Sequence, residues 1–269
     1  MPPTRETSAV VAGRRLSFVA TDGDGPTVLL LHGFGADRLT WLLTQRAISE
    51  YASTIALDLP GHGRSDRDVG EGTVTALSDL VAGFLDGRGT GPVHIVGHSL
   101  GGAIALDLAH RRPDLVASLF LLAPAGIGGG IDPAFLSAVV AMETLDAASA
   151  VLGRLVIRQR LISPQMTTRV LAQMAQPGVR DALRVVADGL ADLHNRFGDR
   201  LDAIGAAGIP IRVLWGDGDT INPLTPACAE ALAVWLEVID DTGHLPHIES
   251  PAEVNQAIRS FIEAAARAQ

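Results

Sequence analysis

The stretch PVHIVGHSLGG at residues 92–102 constrains the fold more than any other feature of this chain. Its β-branched and apolar residues Val93, Ile95 and Val96 stop at Gly-His-Ser-Leu-Gly, and small and apolar residues at helical spacing follow. This order predicts a strand, a sharp turn and a helix. The turn lifts its serine clear of both elements, and glycines must flank the serine because side chains there would collide with the strand and the helix. Ser99 is therefore our candidate nucleophile.

The rest of the chain alternates between apolar runs and helical patterns, which predicts an α/β fold with a mostly parallel sheet. Besides the strand before Ser99, the predicted strands are Arg15–Ala20, Thr27–Leu31, Thr54–Leu57, Val116–Leu122, Ile209–Trp215 and Val234–Ile239. The helices predicted to cover this sheet are Trp41–Ser49, Thr75–Leu85, the segment after Ser99, and Pro251–Ala266. We assign no element to the polar, proline-containing start of the chain.

Residues 126–207, called the lid segment below, interrupt this alternation with helical patterns alone. The predicted helices are Phe135–Leu145, Ala148–Ile157, Met166–Met174 and Val179–Leu193. A helical insertion between two strands is expected to cover the carboxyl edge of the sheet, where open α/β sheets bind ligands. We therefore divide the chain into a core of residues 1–125 and 208–269 and a helical lid of residues 126–207.

The predicted strand at residues 27–31 runs directly into His32-Gly33-Phe34-Gly35. A strand that ends in such a turn leaves backbone N–H groups pointing into the space above the sheet. We assign the N–H of Phe34 and the N–H of Leu100, which follows the candidate nucleophile, as the donors of an oxyanion hole. The alternative interpretation of the segment His32-Gly33-Phe34-Gly35 is an ordinary turn at the end of a strand.

Two later loops supply the partners that a serine nucleophile needs. A serine hydroxyl requires a general base, and histidine, with an ordinary pKa of about 6.5, can accept and return a proton near neutral pH. The base in turn requires a carboxylate to orient it. We prefer Asp219 to Asp217 as the acid, because it lies further from the strand end, and His244 to His247 as the base, because it follows Gly243 directly. We interpret His247 as a neighbouring or surface residue.

Two other polar residues, Asp58 and His62, also follow a predicted strand. Both precede Ser99, whereas a serine at such a turn is followed along the chain by its acid and then its histidine. We therefore interpret them as structural turn residues. Asp240 and Asp241, which precede the histidine loop, are interpreted as solvated turn residues.

The charge and composition exclude several classes of function. The 269 residues carry a formal net charge of -9, which argues against a nucleic-acid partner because phosphate binding requires a concentrated basic face. The single cysteine, Cys228, excludes an intrachain disulfide, and the absence of lysine excludes Schiff-base chemistry and lysine-attached cofactors. No apolar run has the length of a signal peptide core or a membrane span. We expect a cytoplasmic protein that requires neither a metal nor an organic cofactor and does not associate with a membrane.

These motifs together resemble those of α/β-hydrolase-fold serine hydrolases over nearly the full length of the chain. The matching segments are His32–Gly35, Asp58–Ser65, Gly97–Gly102, Trp215–Asp219 and Gly243-His244. The resemblance implies a mostly parallel, eight-stranded-type sheet with helices on both faces and an inserted helical lid. It also supports Asp219 and His244 over their neighbours.

A narrower resemblance starts at Ala123-Pro124-Ala125-Gly126 and continues through the helices that follow. This region is similar to the hydrolase-like C-terminal half of the dihydrolipoamide acetyltransferase component of acetoin dehydrogenase complexes. We expect no lipoyl domain here, and the chain has no lysine to carry lipoate. The resemblance therefore implies a shared hydrolase module and not acetyl transfer by a swinging arm.

The leading functional hypothesis is a carboxylic-ester hydrolase that forms an acyl-enzyme with small to medium, mostly apolar substrates. Alternatives on the same triad are carbon–carbon bond hydrolysis of vinylogous diketones, thioester hydrolysis and cofactor-free perhydrolase or haloperoxidase chemistry. Relatives that cleave carbon–carbon bonds tend to carry asparagine where this chain has His98, and enzymes with an alkyl-enzyme ester need aspartate in place of Ser99. A non-catalytic ligand-binding module is the alternative from another class. Oligomeric state and the physiological substrate stay open.

Apolar residues of the lid segment are candidates for lining an acyl pocket or for packing within the lid. They are Phe135, Leu136, Val140, Met142, Leu152 and Val156. The segment contains few aromatic residues and no basic cluster that would bind an anionic substrate. We therefore expect the partner of this site to be a small uncharged ester.

Overall fold

A computed structural model of the chain describes residues 4–191, 193 and 198–267. Within these residues, one eight-stranded sheet has the strand order β1-β2-β4-β3-β5-β6-β7-β8. The strands are β1 (Thr4–Val11), β2 (Arg14–Thr21), β3 (Thr27–Leu31), β4 (Ser53–Leu57), β5 (Val93–His98), β6 (Val116–Leu122), β7 (Ile211–Gly216) and β8 (Leu236–Ile239). Strand β2 pairs antiparallel with β1 and β4, and the remaining pairs are parallel. The mostly parallel α/β sheet predicted from the sequence is thus confirmed.

The helices of the described residues connect the strands and cover both faces of the sheet. They are α1 (Leu42–Ile48), α2 (Val74–Arg88), α3 (Leu100–Arg111), α4 (Pro133–Ala141), α5 (Leu145–Gly153), α6 (Pro164–Met174), α7 (Val179–Ala191), α8 (Gly198–Ala206), α9 (Pro226–Ala231), α10 (Pro246–Glu249) and α11 (Pro251–Arg267). Short 3-10 helices span Arg38–Trp41, Pro113–Leu115 and Gln159–Leu161.

Strand β3 shows how the sheet separates two apolar cores. Its residues Leu29 and Leu31 pack into one cluster and Val28 and Leu30 into the other, because successive side chains of a strand point to opposite faces. Helices α2 and α3 contribute to the first cluster, and α1 and α11 contribute to the second. Each of the four residues is completely buried, which explains the unbroken apolar run in the sequence.

The structure corrects the assignment at the start of the chain, where strand β1 was not predicted. Among the strands of the described residues, β1 pairs only with β2, through a turn in which Ala12 and Gly13 have φ angles of 48° and 79°. Such hairpin turns favour asparagine or aspartate followed by glycine, so alanine weakens the signal. Helices α8 and α9 were also missed, and both are shorter than ten residues, a length at which helical periodicity is hard to detect.

The boundaries of the helices in the lid segment differ from the predicted ones because of their caps. The Asp132 side chain accepts a hydrogen bond from Ala134 N and caps α4, which begins at Pro133 and not at Phe135 as predicted. The Thr144 side chain accepts from Ala147 N and starts α5 at the residue predicted to end the previous helix. The predicted final helix of this group extended across Asp192, which lies outside the described residues.

Helix α4 contacts α5 and α7, and α6 also contacts α5 and α7. Helix α8 instead contacts α3, which packs on the sheet. The division of the chain at residues 126 and 207 stays a prediction. In the described part of the chain, no helix has both the length and the apolar character required to span a bilayer.

Candidate active site

The candidate nucleophile lies at a sharp turn between strand β5 and helix α3. Ser99 has φ 50° and ψ -114°, a positive-φ conformation that costs a residue with a side chain about 1–3 kcal/mol. Its N–H donates to Leu122 O at 3.0 Å, and its carbonyl accepts from Ala103 N and Ala125 N, both at 3.0 Å. These three bonds hold the strained backbone between two neighbouring strand ends.

Close backbone approaches explain the glycines around this turn. A Cβ added at Gly97 would lie 2.7 Å from Gly101 O, and one added at Gly101 would lie 2.2 Å from Leu31 O. Any residue larger than glycine would therefore separate α3 from the strands. A Cβ at Gly33 would lie 3.3 Å from Ser99 Cβ, so the loop after β3 lies directly beside the candidate nucleophile.

The two predicted oxyanion donors flank this turn. Leu100 is the first residue of α3, where backbone N–H groups have no intrahelical acceptor and carry the positive end of the helix dipole. Phe34 follows Gly33 in the loop that lies against Ser99. Among the described residues, neither N–H donates to a protein acceptor, so both donors are available to a ligand.

Asp219 and His244 are joined by a buried hydrogen bond. The Nδ1 atom of His244 lies 2.7 Å from Oδ2 of Asp219, and the two side chains are 3% and 0% exposed. Trp215 Nε1 donates to the same carboxylate oxygen at 3.2 Å. Oδ1 accepts the backbone N–H groups of Ile221 and Asn222 at 2.9 and 3.0 Å. The carboxylate is thereby fixed as an acceptor for the imidazole Nδ1–H, which leaves Nε2 to act on a proton.

The structure distinguishes each of these residues from its neighbouring alternative. Asp217 is exposed and accepts a bond from Thr242 N at 3.3 Å. His247 is completely buried, stacks on Trp41 with ring centroids 4.5 Å apart, and its Nε2 is 2.9 Å from Thr40 Oγ1. Neither alternative forms the Asp–His pair, and His247 is a core residue, not a surface residue.

His98 holds the main chain of His244, a role that the sequence did not indicate. Its Nε2–H donates to the carbonyl of His244 at 2.8 Å, and the two rings are 4.8 Å apart. Burial, together with the charge of a protonated His244, lowers the pKa of His98 well below 6.5, so the ring stays neutral and keeps this donor. No sequence signal identifies this contact, because the residue before the serine can be of any type in the motif.

The structure brings Ser99, Asp219 and His244 to one edge of the sheet, but hydrogen bonds do not connect all three. Ser99 lies in the turn after β5, Asp219 after β7 and His244 after β8. In the described part of the chain, Ser99 Oγ has no hydrogen bond to a protein group. The Ser99–His244 contact is therefore not formed here; catalytic hydrogen bonds of this kind are often long until substrate binds.

Asp58 and His62 lie in the loop after β4 and hold that loop together. Asp58 is completely buried, and its carboxylate accepts the backbone N–H groups of Arg38 and Arg64 and pairs with the Arg38 guanidinium. Burial and the charge of His32 lower the pKa of His62 to about 3. Its Nε2 is buried without a partner among the described residues, 0% of the residue being exposed.

Residues of the lid segment pack in the same apolar cluster as the residues that flank Ser99. Phe135, Leu136 and Met142 are buried in the same apolar cluster as Phe34 and Leu100. Val156 is also buried, and Val140 and Leu152 are partly buried. Ser99 is 4% exposed.

Two glycines mark where the lid segment lies against the catalytic loops. A Cβ at Gly35 would lie 2.8 Å from Val139 Cγ1, and one at Gly218 would lie 2.2 Å from Ile157 Cδ1. The lid segment thus contacts the loop of Phe34 and the loop of Asp219. Among the described residues, no group of three or more His, Cys, Asp and Glu side chains is placed to hold a metal ion.

Comparison with known proteins identifies a family, one relative and two similar solved structures. The sequence model of the Alpha/beta hydrolase family matches residues 28–257. The dihydrolipoyllysine-residue acetyltransferase component of the acetoin cleaving system of Pseudomonas putida is 36% identical over 255 residues, covering 94% of this chain and 68% of that protein. The similarity to this component that the sequence motifs suggested is confirmed.

Two solved structures show how widely the fold is shared. A putative lipase from Acinetobacter baumannii matches with a TM-score of 0.86 at 23% identity, over 99% of this chain and 93% of that one. A thermophilic esterase from Thermogutta terrifontis matches with a TM-score of 0.78 at 27% identity, over 97% of this chain and 99% of that one. At 23% identity, the match to the Acinetobacter baumannii lipase establishes the fold alone.

Proposed function

Because the chain belongs to the alpha/beta hydrolase family, we propose that it cleaves carboxylic esters through an acyl-enzyme on Ser99. His244 is the general base and Asp219 the carboxylate that orients it. The backbone N–H groups of Phe34 and Leu100 form the oxyanion hole. The observation that carries this proposal is the buried 2.7 Å Asp219–His244 bond, on the loops that follow β7 and β8 and beside the glycine-flanked Ser99 turn.

In the acylation half, Ser99 Oγ attacks the ester carbonyl carbon while His244 Nε2 takes the hydroxyl proton. The carbonyl electron pair moves onto oxygen, where the Phe34 and Leu100 N–H groups stabilise the negative charge. Removal of one such donor typically costs a factor of about 10²–10³ in turnover. Collapse of the intermediate breaks the bond to the alcohol oxygen, which leaves with the proton from His244.

In the deacylation half, water replaces the alcohol. His244 takes a proton from water, whose oxygen attacks the acyl carbon of the Ser99 ester. Collapse of the second tetrahedral intermediate breaks the Ser99 Oγ–acyl bond and returns the proton to Oγ. The products are a carboxylic acid and an alcohol, and the enzyme is restored without any redox change.

Burial favours small, uncharged, mostly apolar acyl groups as substrates. Ser99 is 4% exposed, and Phe135, Leu136 and Met142 of the lid segment belong to the same apolar cluster as Phe34 and Leu100. A charged acyl group would lose its hydration there without a partner to replace it.

The test is covalent labelling combined with a series of activated esters from acetate to laurate. Wild-type protein should react with a fluorophosphonate at Ser99, as located by peptide mass spectrometry, and should hydrolyse short esters fastest. Ser99→Ala should lose both activities. Labelling of that variant at the same rate would overturn the proposal, and faster turnover of long or anionic esters would overturn the substrate preference.

Thioester hydrolysis is a second candidate, favoured by the 36% identity to an acetyltransferase component. The same steps apply with a thiolate as the leaving group. Acetyl and butyryl thioesters of a small thiol, compared with the matching oxygen esters, separate the two. A specificity constant for the thioester that exceeds the oxygen ester's after correction for their uncatalysed hydrolysis would favour this second function.

A further inference from the structure

A buried carboxylate joins the lid segment to the loop that carries His244. Glu249, the last residue of α10, is 4% exposed. Its Oε1 accepts the N–H of Gly243 at 2.6 Å, and its Oε2 accepts the N–H groups of Ile157 and Arg158 at 3.0 and 2.9 Å. One side chain therefore binds the backbone N–H of Gly243, the residue before His244, and two successive backbone N–H groups of the lid segment.

The side chain of Arg158 reinforces this connection from the lid side. Its guanidinium donates to the main-chain carbonyl of Glu249 at 2.7 Å and to that of Asp241 at 3.1 Å. These two acceptors lie on either side of His244 in the sequence. The lid segment thus holds the histidine loop at both ends.

Steric contacts show that the two backbones touch. A Cβ at Gly243 would lie 2.8 Å from Leu155 O, 2.9 Å from Glu249 Oε1 and 3.0 Å from Val156 Cα. Gln159 braces this part of the lid segment, because its side-chain amide donates to Gly153 O at 2.6 Å and to Val156 O at 3.1 Å. A shift of the lid backbone would therefore be transmitted to the peptide next to His244.

The main chain of His244 is held from two directions. Glu249 accepts the N–H on its N-terminal side, at Gly243, and His98 donates to its own carbonyl at 2.8 Å. The His98 contact comes from the strand of Ser99, whereas Glu249 lies in α10 and binds both Gly243 and the lid residues Ile157 and Arg158. Of these two side chains, Glu249 is the one that also accepts hydrogen bonds from the lid segment.

We propose that Glu249 is a positioning residue that sets His244 for catalysis only while residues 155–158 are seated on the histidine loop. The proposal rests on the proposed function, in which His244 is the general base. Substrate entry displaces the lid and loosens the histidine, and reclosure over a bound substrate restores its position. Catalysis is thereby confined to the closed, water-excluded site.

The chemistry of the carboxylate makes this testable by an isosteric change. An ionised carboxylate is an acceptor at both oxygens, which suits three N–H donors, whereas a glutamine amide presents a donor at one end. Glu249→Gln therefore keeps the volume but turns an N–H group toward either Gly243 or the lid peptides. The exposed Glu253 of α11 provides the matched control, Glu253→Gln.

The effect of the variants on His244 is measured by kinetics on a short ester and by the rate of fluorophosphonate labelling. Glu249→Gln should lower kcat and the labelling rate by about tenfold or more, with KM changed by less than about threefold, because a mispositioned base weakens the transition state more than the ground state. Glu249→Asp, which retains the charge, should recover part of this loss. Glu253→Gln should match the wild type.

The effect of the variants on the lid segment is measured by amide hydrogen exchange, a measurement that does not require the enzyme to be active. Glu249→Gln should raise exchange in peptides that cover residues 155–158 and 243–244, with the exchange of β5 and β6 unchanged. Equal loss of protection over the whole sheet would indicate general destabilisation and would overturn the positioning role. So would slower labelling without faster exchange at 155–158.

A second pair of variants tests the same connection should Glu249→Gln fail to fold. Arg158→Gln removes the guanidinium contacts, and the exposed Arg160→Gln is its control. Arg158→Gln should raise exchange at 243–244 and slow labelling, and Arg160→Gln should do neither. A wild type that is not labelled would overturn the proposed function, whereas a labelled wild type with equal rates in all variants would overturn this inference alone.

Discussion

The Nδ1 atom of His244 lies 2.7 Å from Oδ2 of Asp219, and both side chains are buried. The same carboxylate accepts from Trp215 Nε1 and from two backbone N–H groups, so it cannot rotate away without leaving several donors unpaired. Unpaired buried polar groups cost about 1–3 kcal/mol each. The pair is therefore a rigid unit that fixes which imidazole nitrogen faces the site.

Replacing the acid should uncouple this unit. We expect Asp219→Asn to lower kcat for ester hydrolysis by a factor of about 10³–10⁴, because an amide donor at this position favours the wrong histidine tautomer. Steady-state kinetics on a short activated ester measure the change. Asp217→Asn is the matched control and should stay within about threefold of the wild type. A large loss in the control with activity retained in Asp219→Asn would reverse the assignment.

The His98 contact should matter through its hydrogen bond. His98→Phe keeps an aromatic ring but leaves the carbonyl of His244 without its buried donor, and we expect kcat to fall about tenfold, equivalent to about 1.4 kcal/mol. His98→Gln can donate to the same carbonyl and should retain more activity. Equal activities in the two variants, measured on the same ester, would show that the ring and not the hydrogen bond matters.

The glycine turn allows a paired stability test. Gly101→Ala would place Cβ 2.2 Å from Leu31 O, and we expect a loss of about 2 kcal/mol or more in the free energy of unfolding. Gly87, exposed in α2, has no atom within 4 Å of an added Cβ, so Gly87→Ala should stabilise by about 0.5–1 kcal/mol. Urea unfolding of both variants checks the signs, and a stable Gly101→Ala protein would disprove the packing argument.

Buried neutral histidines should make the protein acid-sensitive. Burial and the charge of His244 lower the pKa of His247 from 6.5 to about 3. Between these two values the unfolded chain binds a proton that the folded chain does not, so stability falls as pH decreases through this window. Each such histidine contributes a slope of about 1.4 kcal/mol per pH unit.

His247→Phe should therefore have a flatter dependence of stability on pH than the wild type. Urea unfolding at several pH values from neutral down to about pH 4 measures how steeply the free energy of unfolding changes with pH. The slopes of the variant and the wild type differ because the unfolded variant has no histidine at position 247 to bind a proton. The exposed His110 provides the control, because His110→Gln should keep the wild-type slope. An unchanged slope in His247→Phe would mean that His247 is protonated in the folded protein.

The sheet and the order of its loops could be read from the sequence because they depend on local patterns. Continuous apolar runs such as Thr27–Leu31 mark strands buried on both faces, and this strand has the predicted bounds. Strand β1 has no such run in its sequence. It lies at the edge of the sheet and is held there by its pairing with β2. Its existence follows from a tertiary contact and not from its own residues.

The sequence by itself determined the α/β architecture, the Ser99 turn and the loops that carry Asp219 and His244. Each of these depends on residues close together in the chain, such as the glycines that alone fit the turn. Only the tertiary structure decided that Asp219 and not Asp217 reaches His244, and that His98 and Glu249 hold the histidine's main chain. Those contacts join residues up to 146 positions apart, and chain folding, not local propensity, sets the distances between them.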